Sequence, residues 1–98
     1  VKRLLVIMLP LFLCSCNNDG SSVSHQYPAM DSAAFQVFGR QCSLCHAPPL
    51  PSTHRAKEWT MVVTRMMRHR AERGLAPLSR QEQATILQYL QQYAAEPI

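Results

Sequence analysis

Cys42-Ser43-Leu44-Cys45-His46 decides how this chain is read: two cysteines separated by two residues and followed at once by a histidine form the attachment pattern of a c-type haem. Each thiol can add across one porphyrin vinyl group to give a thioether, and the histidine that follows is placed to ligate the iron through an imidazole nitrogen. Cys42 and Cys45 are therefore candidate covalent anchors and His46 a candidate proximal ligand. Other uses of paired cysteines fit less of the pattern. A structural zinc site takes four Cys or His ligands, and the only other cysteines, Cys14 and Cys16, lie within the first sixteen residues. A thioredoxin-like pair needs a βαβ setting that the residues around Cys42 do not offer. A Cys42–Cys45 disulfide is open in an oxidising compartment, but it leaves His46 without a role.

Upstream, Lys2 and Arg3 precede an apolar run, Leu4 to Leu13, that is too short to span a bilayer and has the layout of a secretory signal. The run closes on Leu13-Cys14-Ser15-Cys16, which resembles the bacterial lipobox, with an aliphatic residue three before a cysteine and a small one directly before it. The resemblance implies a lipoprotein signal peptide over residues 1–15 and lipidation of Cys16; Cys14, preceded by bulky Leu13, suits the peptidase poorly. Asn17 after the cysteine leans the sorting toward the outer rather than the inner membrane. Residues 16–30, rich in Asn, Ser, Gly and Asp, read as a flexible tether, and residues 31–98 as the folded domain. Loss of Lys2 and Arg3 leaves eight Lys and Arg against six Asp and Glu, so the formal +4 of the full chain is no sign of nucleic-acid binding.

Downstream, hydrophobic spacing and punctuation predict three helices and no strands. Asp31 can cap a helix from about Ser32 to Cys42 with Ala34, Phe35 and Phe38 on one side. Ala47 to Thr53 holds three prolines and is expected to be an extended loop. A second helix is expected from near Ala56 to about Arg73, where Gly74 stops it. With about 100° per residue, Val62, Val63 and Met66 fall within about 60° of Trp59, whereas Met61 points away. Ser79 and Glu82 form a capping-box pattern for a third helix, about Arg80 to Ala95, with Ile86, Leu87, Leu90 and Tyr93 on its apolar face. A folded part of this size has a marginal core, and a covalently held haem would supply part of it.

Phe38 and Ala34, four and eight residues before the first haem cysteine, together with Tyr89-Leu90 in the last helix, resemble the first and last helices of class I cytochromes c. The run Glu58-Trp59, Val62-Val63, Arg65-Met66, with Gly74, Leu78, Ser79 and Glu82, resembles a group of small bacterial monohaem domains. These resemblances imply an all-α domain around one covalently attached haem c, with Phe38 beside its edge. They also imply that a proline carbonyl, among Pro48, Pro49 and Pro51, accepts the second ring N–H of His46, and that Met66, seven residues after Trp59, is the distal iron ligand. Met67 and the imidazoles of His54, His69 and His25 compete for that place. Arg70 falls on the apolar stripe, so its charge is expected to snorkel, lie beyond the haem or meet a propionate.

The function these features imply is a lipid-anchored periplasmic monohaem cytochrome c carrying single electrons between redox protein partners, with His46 and Met66 as axial ligands and no catalytic residues of its own. The basic second helix could steer an acidic partner. One alternative is the electron-accepting haem subunit of a periplasmic dehydrogenase. Alternatives of other classes are a haem-based sensor or gas-binding protein with a displaceable sixth ligand, and a haem-free envelope lipoprotein with a disulfide.

Overall fold

The computed structural model describes residues 26–98, so Cys14, Cys16, His25 and the signal-peptide reading lie outside the described residues. Three helices form: α1 (Ala33–Cys42), α2 (Trp59–Glu72) and α3 (Arg80–Gln92), with two short 3-10 turns, Pro51–Thr53 and Ala56–Glu58, between α1 and α2. Among the described residues there are no strands, and the domain is all-α. No helix among them is long and apolar enough to cross a membrane.

Each helix starts and stops for a local reason. Ser32, rather than Asp31, caps α1: its hydroxyl accepts the Phe35 N–H at 3.0 Å, relieving one of the unpaired donors at a helix start. Gly74, at φ 72°, ends α2. Leu75 N–H reaches back to the Arg70 carbonyl at 2.9 Å and Gly74 N–H to the Ala71 carbonyl at 3.1 Å, the paired bonds of a Schellman stop, whose left-handed residue glycine adopts without strain. The capping box at α3 is complete, with Glu82 N–H on the Ser79 hydroxyl at 3.0 Å and Ser79 N–H on the Glu82 carboxylate at 3.2 Å.

The elements differ from the sequence expectation at two ends. The second helix begins at Trp59 because Ala56–Glu58 is wound as a 3-10 turn held to the far end of α3: Ala56 N–H donates to the Glu96 carbonyl and Gln91 Nε2 to the Ala56 carbonyl. The third helix stops at Gln92 rather than Ala95, since Ala95 N–H turns away to the His54 carbonyl at 3.0 Å. At the second place a tertiary bond replaces a helical one; at the first, the bonds to Glu96 and Gln91 tie the turn to the C-terminal segment.

The core is Phe38, Ala56, Trp59, Val63, Ile86, Tyr89, Leu90 and Ala94, all buried. Helix α3 is its centre. Phe38 and Phe35 of α1 meet the Tyr89 ring at centroid separations of 5.0 and 6.0 Å, tilted and edge-on geometries that ring quadrupoles favour. Trp59 is fully buried, and its indole N–H is satisfied by the Pro51 carbonyl at 3.0 Å, which fixes the start of α2 under the proline loop. Helices α1 and α2 each approach α3, yet share no close backbone approach with each other. Tyr27 and Pro28, which the sequence reading gives to the tether, are packed here: Tyr27 lies against Phe35 and Phe38, and the Tyr89 hydroxyl donates to the Pro28 carbonyl at 2.7 Å.

The capping box makes the fold's acid sensitivity testable. Hydrogen bonds from the Ser79 backbone, then its side chain, with help from Gln41 and Arg40, hold the Glu82 carboxyl below its usual range. A lowered folded value gives stability that is complete above the ordinary glutamate range, about 4.3, and is lost as pH falls through the folded value. Denaturant unfolding of the haem-loaded protein should show Ser79→Ala costing about 1 kcal/mol at neutral pH. Glu82→Gln should flatten the part of the stability loss that begins below about pH 4.3.

Candidate haem-binding site

The end of α1, the loop after it and the second half of α2 enclose an open, mainly apolar pocket of about 280 Å³. Gln41, Cys42, Leu44, Cys45, His46 and Pro49 line it from the attachment segment, and Met66, Met67, His69 and Arg70 of α2 and its C-cap Arg73 from the other side. The candidate anchors, the candidate proximal ligand and both candidate methionines thus face one space. Their positions follow from the local fold. Cys42 is the last residue of α1, and Ser43 leaves the helix, so that Cys45 and His46 lie on the outgoing turn. Met66 and Met67 sit midway along α2, within van der Waals reach of the core that carries Trp59 and Val63.

Cys42 and Cys45 are free thiols, Cys42 half-buried and Cys45 exposed. Burial pushes the Cys42 thiol up to about 11, with the Arg70 guanidinium pulling in the opposite direction. It is consequently a neutral thiol at ordinary pH. His46 is exposed, and its Nδ1 lies 2.8 Å from the Ala47 carbonyl. That contact favours the tautomer protonated on Nδ1, leaving Nε2 with a lone pair for a metal.

The proline expectation is corrected here. The carbonyl beside His46 Nδ1 belongs to Ala47, while Pro48 accepts the Tyr27 hydroxyl and Pro51 accepts the Trp59 indole. Phe38, Trp59, Val62 and Val63 do not line the pocket; they form or border the core on which its walls rest. His54 is outside it, its ring edge-on to Trp59 at 4.9 Å and its Nδ1 3.4 Å from Glu58. His69 does reach the pocket, at its exposed side, with Nδ1 3.3 Å from Glu72. Met61 is 68% exposed and points away from the site.

Two residues gain roles that sequence reading did not assign. Arg70 is half-buried: Nη1 donates to the Gln41 carbonyl at 2.8 Å and Nη2 to the Ala76 carbonyl at 2.8 Å, while Nε is shut off from solvent without a protein acceptor. Gln41 continues the network, its side-chain amide donating to Glu82 at 3.0 Å. The Arg70 signal was visible as a charge on an apolar stripe; nothing local marked Gln41.

Two thiols, an imidazole, thioether sulfurs, an apolar lining and an orphaned guanidinium donor make a set that suits a haem, which needs vinyl-reactive sulfurs, axial N or S donors and cations near its carboxylates. Cys42 and Cys45 would hold it covalently and His46 would ligate its iron, which when bound supplies one-electron chemistry. No group of three or more His, Cys, Asp or Glu suited to a separate metal ion occurs among the described residues.

The family model described as dihaem cytochrome c matches residues 38–97, from Phe38 through the attachment motif and α2 to the end of the domain. No curated protein and no solved structure matches the chain. The description speaks of two haems, whereas these 98 residues contain one C-x-x-C-H. With the match spanning well over half of its length, and the attachment residues gathered at one pocket, the chain belongs to the dihaem cytochrome c family, and its domain is a c-type cytochrome domain for haem-based electron transfer.

Proposed function

We propose that this chain binds a single haem c, with His46 and Met66 as axial ligands, and acts as a lipid-anchored periplasmic carrier of single electrons. The observation that carries the reading is the convergence of Cys42, Cys45, His46 and Met66 on one pocket. Met66 is preferred to Met67 because, seven residues after Trp59, it lies within about 20° of it around α2, whereas Met67 lies about 80° away. A His/Met pair raises the reduction potential relative to two nitrogen ligands, which suits a carrier rather than an oxygen-activating centre. The covalent anchor keeps the group in place through repeated oxidation and reduction.

The partners proposed are redox proteins rather than nucleic acid. Arg65, Arg68 and Arg73 form no ion pair among the described residues, so α2 and its C-cap present exposed cationic side chains that suit an acidic protein surface, Arg73 at the pocket itself. One such partner class is a periplasmic dehydrogenase for which this chain would be the electron-accepting subunit. The lipid anchor rests on the Cys16 sequence pattern.

Expression with the cytochrome c maturation machinery tests the count and the ligands together. Mass and haemochrome absorbance should give one haem per chain; colourless protein would leave the disulfide lipoprotein standing. Met66→Ala should abolish the weak near-infrared ferric band of methionine–iron ligation and lower the potential, while Met67→Ala keeps both; the reverse pattern would reassign the ligand. A high-spin ferrous spectrum with rapid CO binding would instead favour a sensor. Separately, Cys16→Ser should move the protein from the membrane fraction to the soluble periplasmic fraction.

A further inference from the structure

The helix that ends in Cys42 and the helix that carries Met66 lean on α3 but have no close backbone approach to each other, so something else must set the spacing across the pocket. Arg70 is the side chain that spans it. It sits one helical turn beyond Met66, and its guanidinium donates to the Gln41 carbonyl in the last turn of α1, 29 residues away in sequence and adjacent to Cys42. A second branch bonds the Ala76 carbonyl just past the α2 stop, and the same Nη2 lies 3.4 Å from the Gln41 side-chain oxygen.

The chemistry at the Gln41 end suits a cation. Carbonyls in the last turn of a helix lack intrahelical partners, and the helix dipole adds partial negative charge there. A guanidinium can serve a carbonyl on each side of a gap because its donors lie in one rigid plane; an ammonium cannot hold both in fixed directions. Gln41 passes the restraint on through Glu82 to the Ser79 cap, so the ends of α1, α2 and α3 meet in one network at the pocket's edge.

We propose that Arg70 is a positioning residue that clamps the haem-attachment end of α1 to the distal helix, and so sets how firmly the distal side chain is held at the iron. The proposal rests on the haem reading above for its site, but the clamp itself does not depend on which α2 side chain is the ligand. With the clamp intact, α2 cannot move away from Cys42 without breaking the charge-assisted hydrogen bond from Arg70 to the Gln41 carbonyl. Without it, the distal wall can open while α3 and the core stay packed.

The test uses the haem-loaded protein as Arg70→Gln, Arg70→Lys and Arg68→Gln, with imidazole as the external ligand competing for the ferric iron. Arg70→Gln should bind imidazole at least roughly tenfold more tightly than wild type, the scale of losing charged hydrogen bonds. Arg70→Lys should behave like Arg70→Gln, because it keeps the charge but not the fork. Arg68→Gln, which removes an exposed α2 cation outside the pocket lining, should match wild type. Amide hydrogen exchange should quicken over residues 39–42 and 73–78 in both Arg70 variants while residues 86–90 stay protected. Imidazole affinity unchanged in Arg70→Gln, or restored by Arg70→Lys, would overturn the clamp, the second outcome showing that charge alone matters. Should wild type lack the methionine–iron band, the ligand assignment fails, yet the hydrogen-exchange comparison still decides the clamp.

Discussion

Helix α3 is the surface on which this small domain is assembled, and the burial of Tyr89 and Leu90 between α1 and the Trp59 end of α2 is the contact that fixes both helices. Because the backbone of each outer helix closely approaches α3 and not the other, a gap bridged by side chains is left between the end of α1 and the second half of α2. The attachment cysteines and the methionines line that gap. The pocket is thus a consequence of how three helices share one small core, and its mainly apolar lining is core surface that no protein element covers.

This division of labour explains why the large aromatic residues stand behind the site. Phe38 and Trp59 are wholly buried and point their bulk into the α3 contact, so they hold the walls in place instead of touching the pocket. Their polar neighbours serve the same end. The Trp59 indole secures the Pro51 carbonyl and Tyr27 secures Pro48, so the loop leaving His46 is pinned at two points although it has little regular structure of its own, while the Tyr89 hydroxyl secures Pro28 beside Tyr27. A loop with three prolines has few backbone donors; its free carbonyls instead accept from side chains of the core.

The parts of the fold written in local chemistry were legible in the sequence, and those made by distant contacts were not. Ser79 and Glu82 lie three residues apart and form the box their spacing announces, and Gly74 stops α2 because only its left-handed turn completes the Schellman bonds. Ala56 to Glu58 looked helical by pattern, but bonds to Glu96 and Gln91 at the other end of the chain wind it as a 3-10 turn. Tyr27 sat in a polar stretch whose composition suggested a tether, and its packing rests on distant partners, the Phe35 and Phe38 rings and the Pro48 carbonyl. At the site, the C-x-x-C-H spacing named its residues directly. The acceptor for His46 was expected by resemblance to be a proline carbonyl; the carbonyl beside its Nδ1 is that of Ala47, the immediate neighbour, while those of Pro48 and Pro51 accept from Tyr27 and Trp59.

Covalent attachment changes what the distal side of such a pocket has to do. A group tied to Cys42 and Cys45 cannot leave, so binding of a side chain from α2 is an intramolecular closure whose strength depends on how readily α2 reaches it. If that side chain is the proposed axial ligand, any loosening of the α2–α3 contact would also weaken axial ligation, although ligation could weaken without the core loosening. The basic side chains of α2 would add a second coupling, since the helix that carries the methionines also presents Arg65 and Arg68 toward solvent. With Met66 as the proposed axial ligand, a partner docking on those cations would bear on the helix that carries it, placing recognition and redox tuning on one short element.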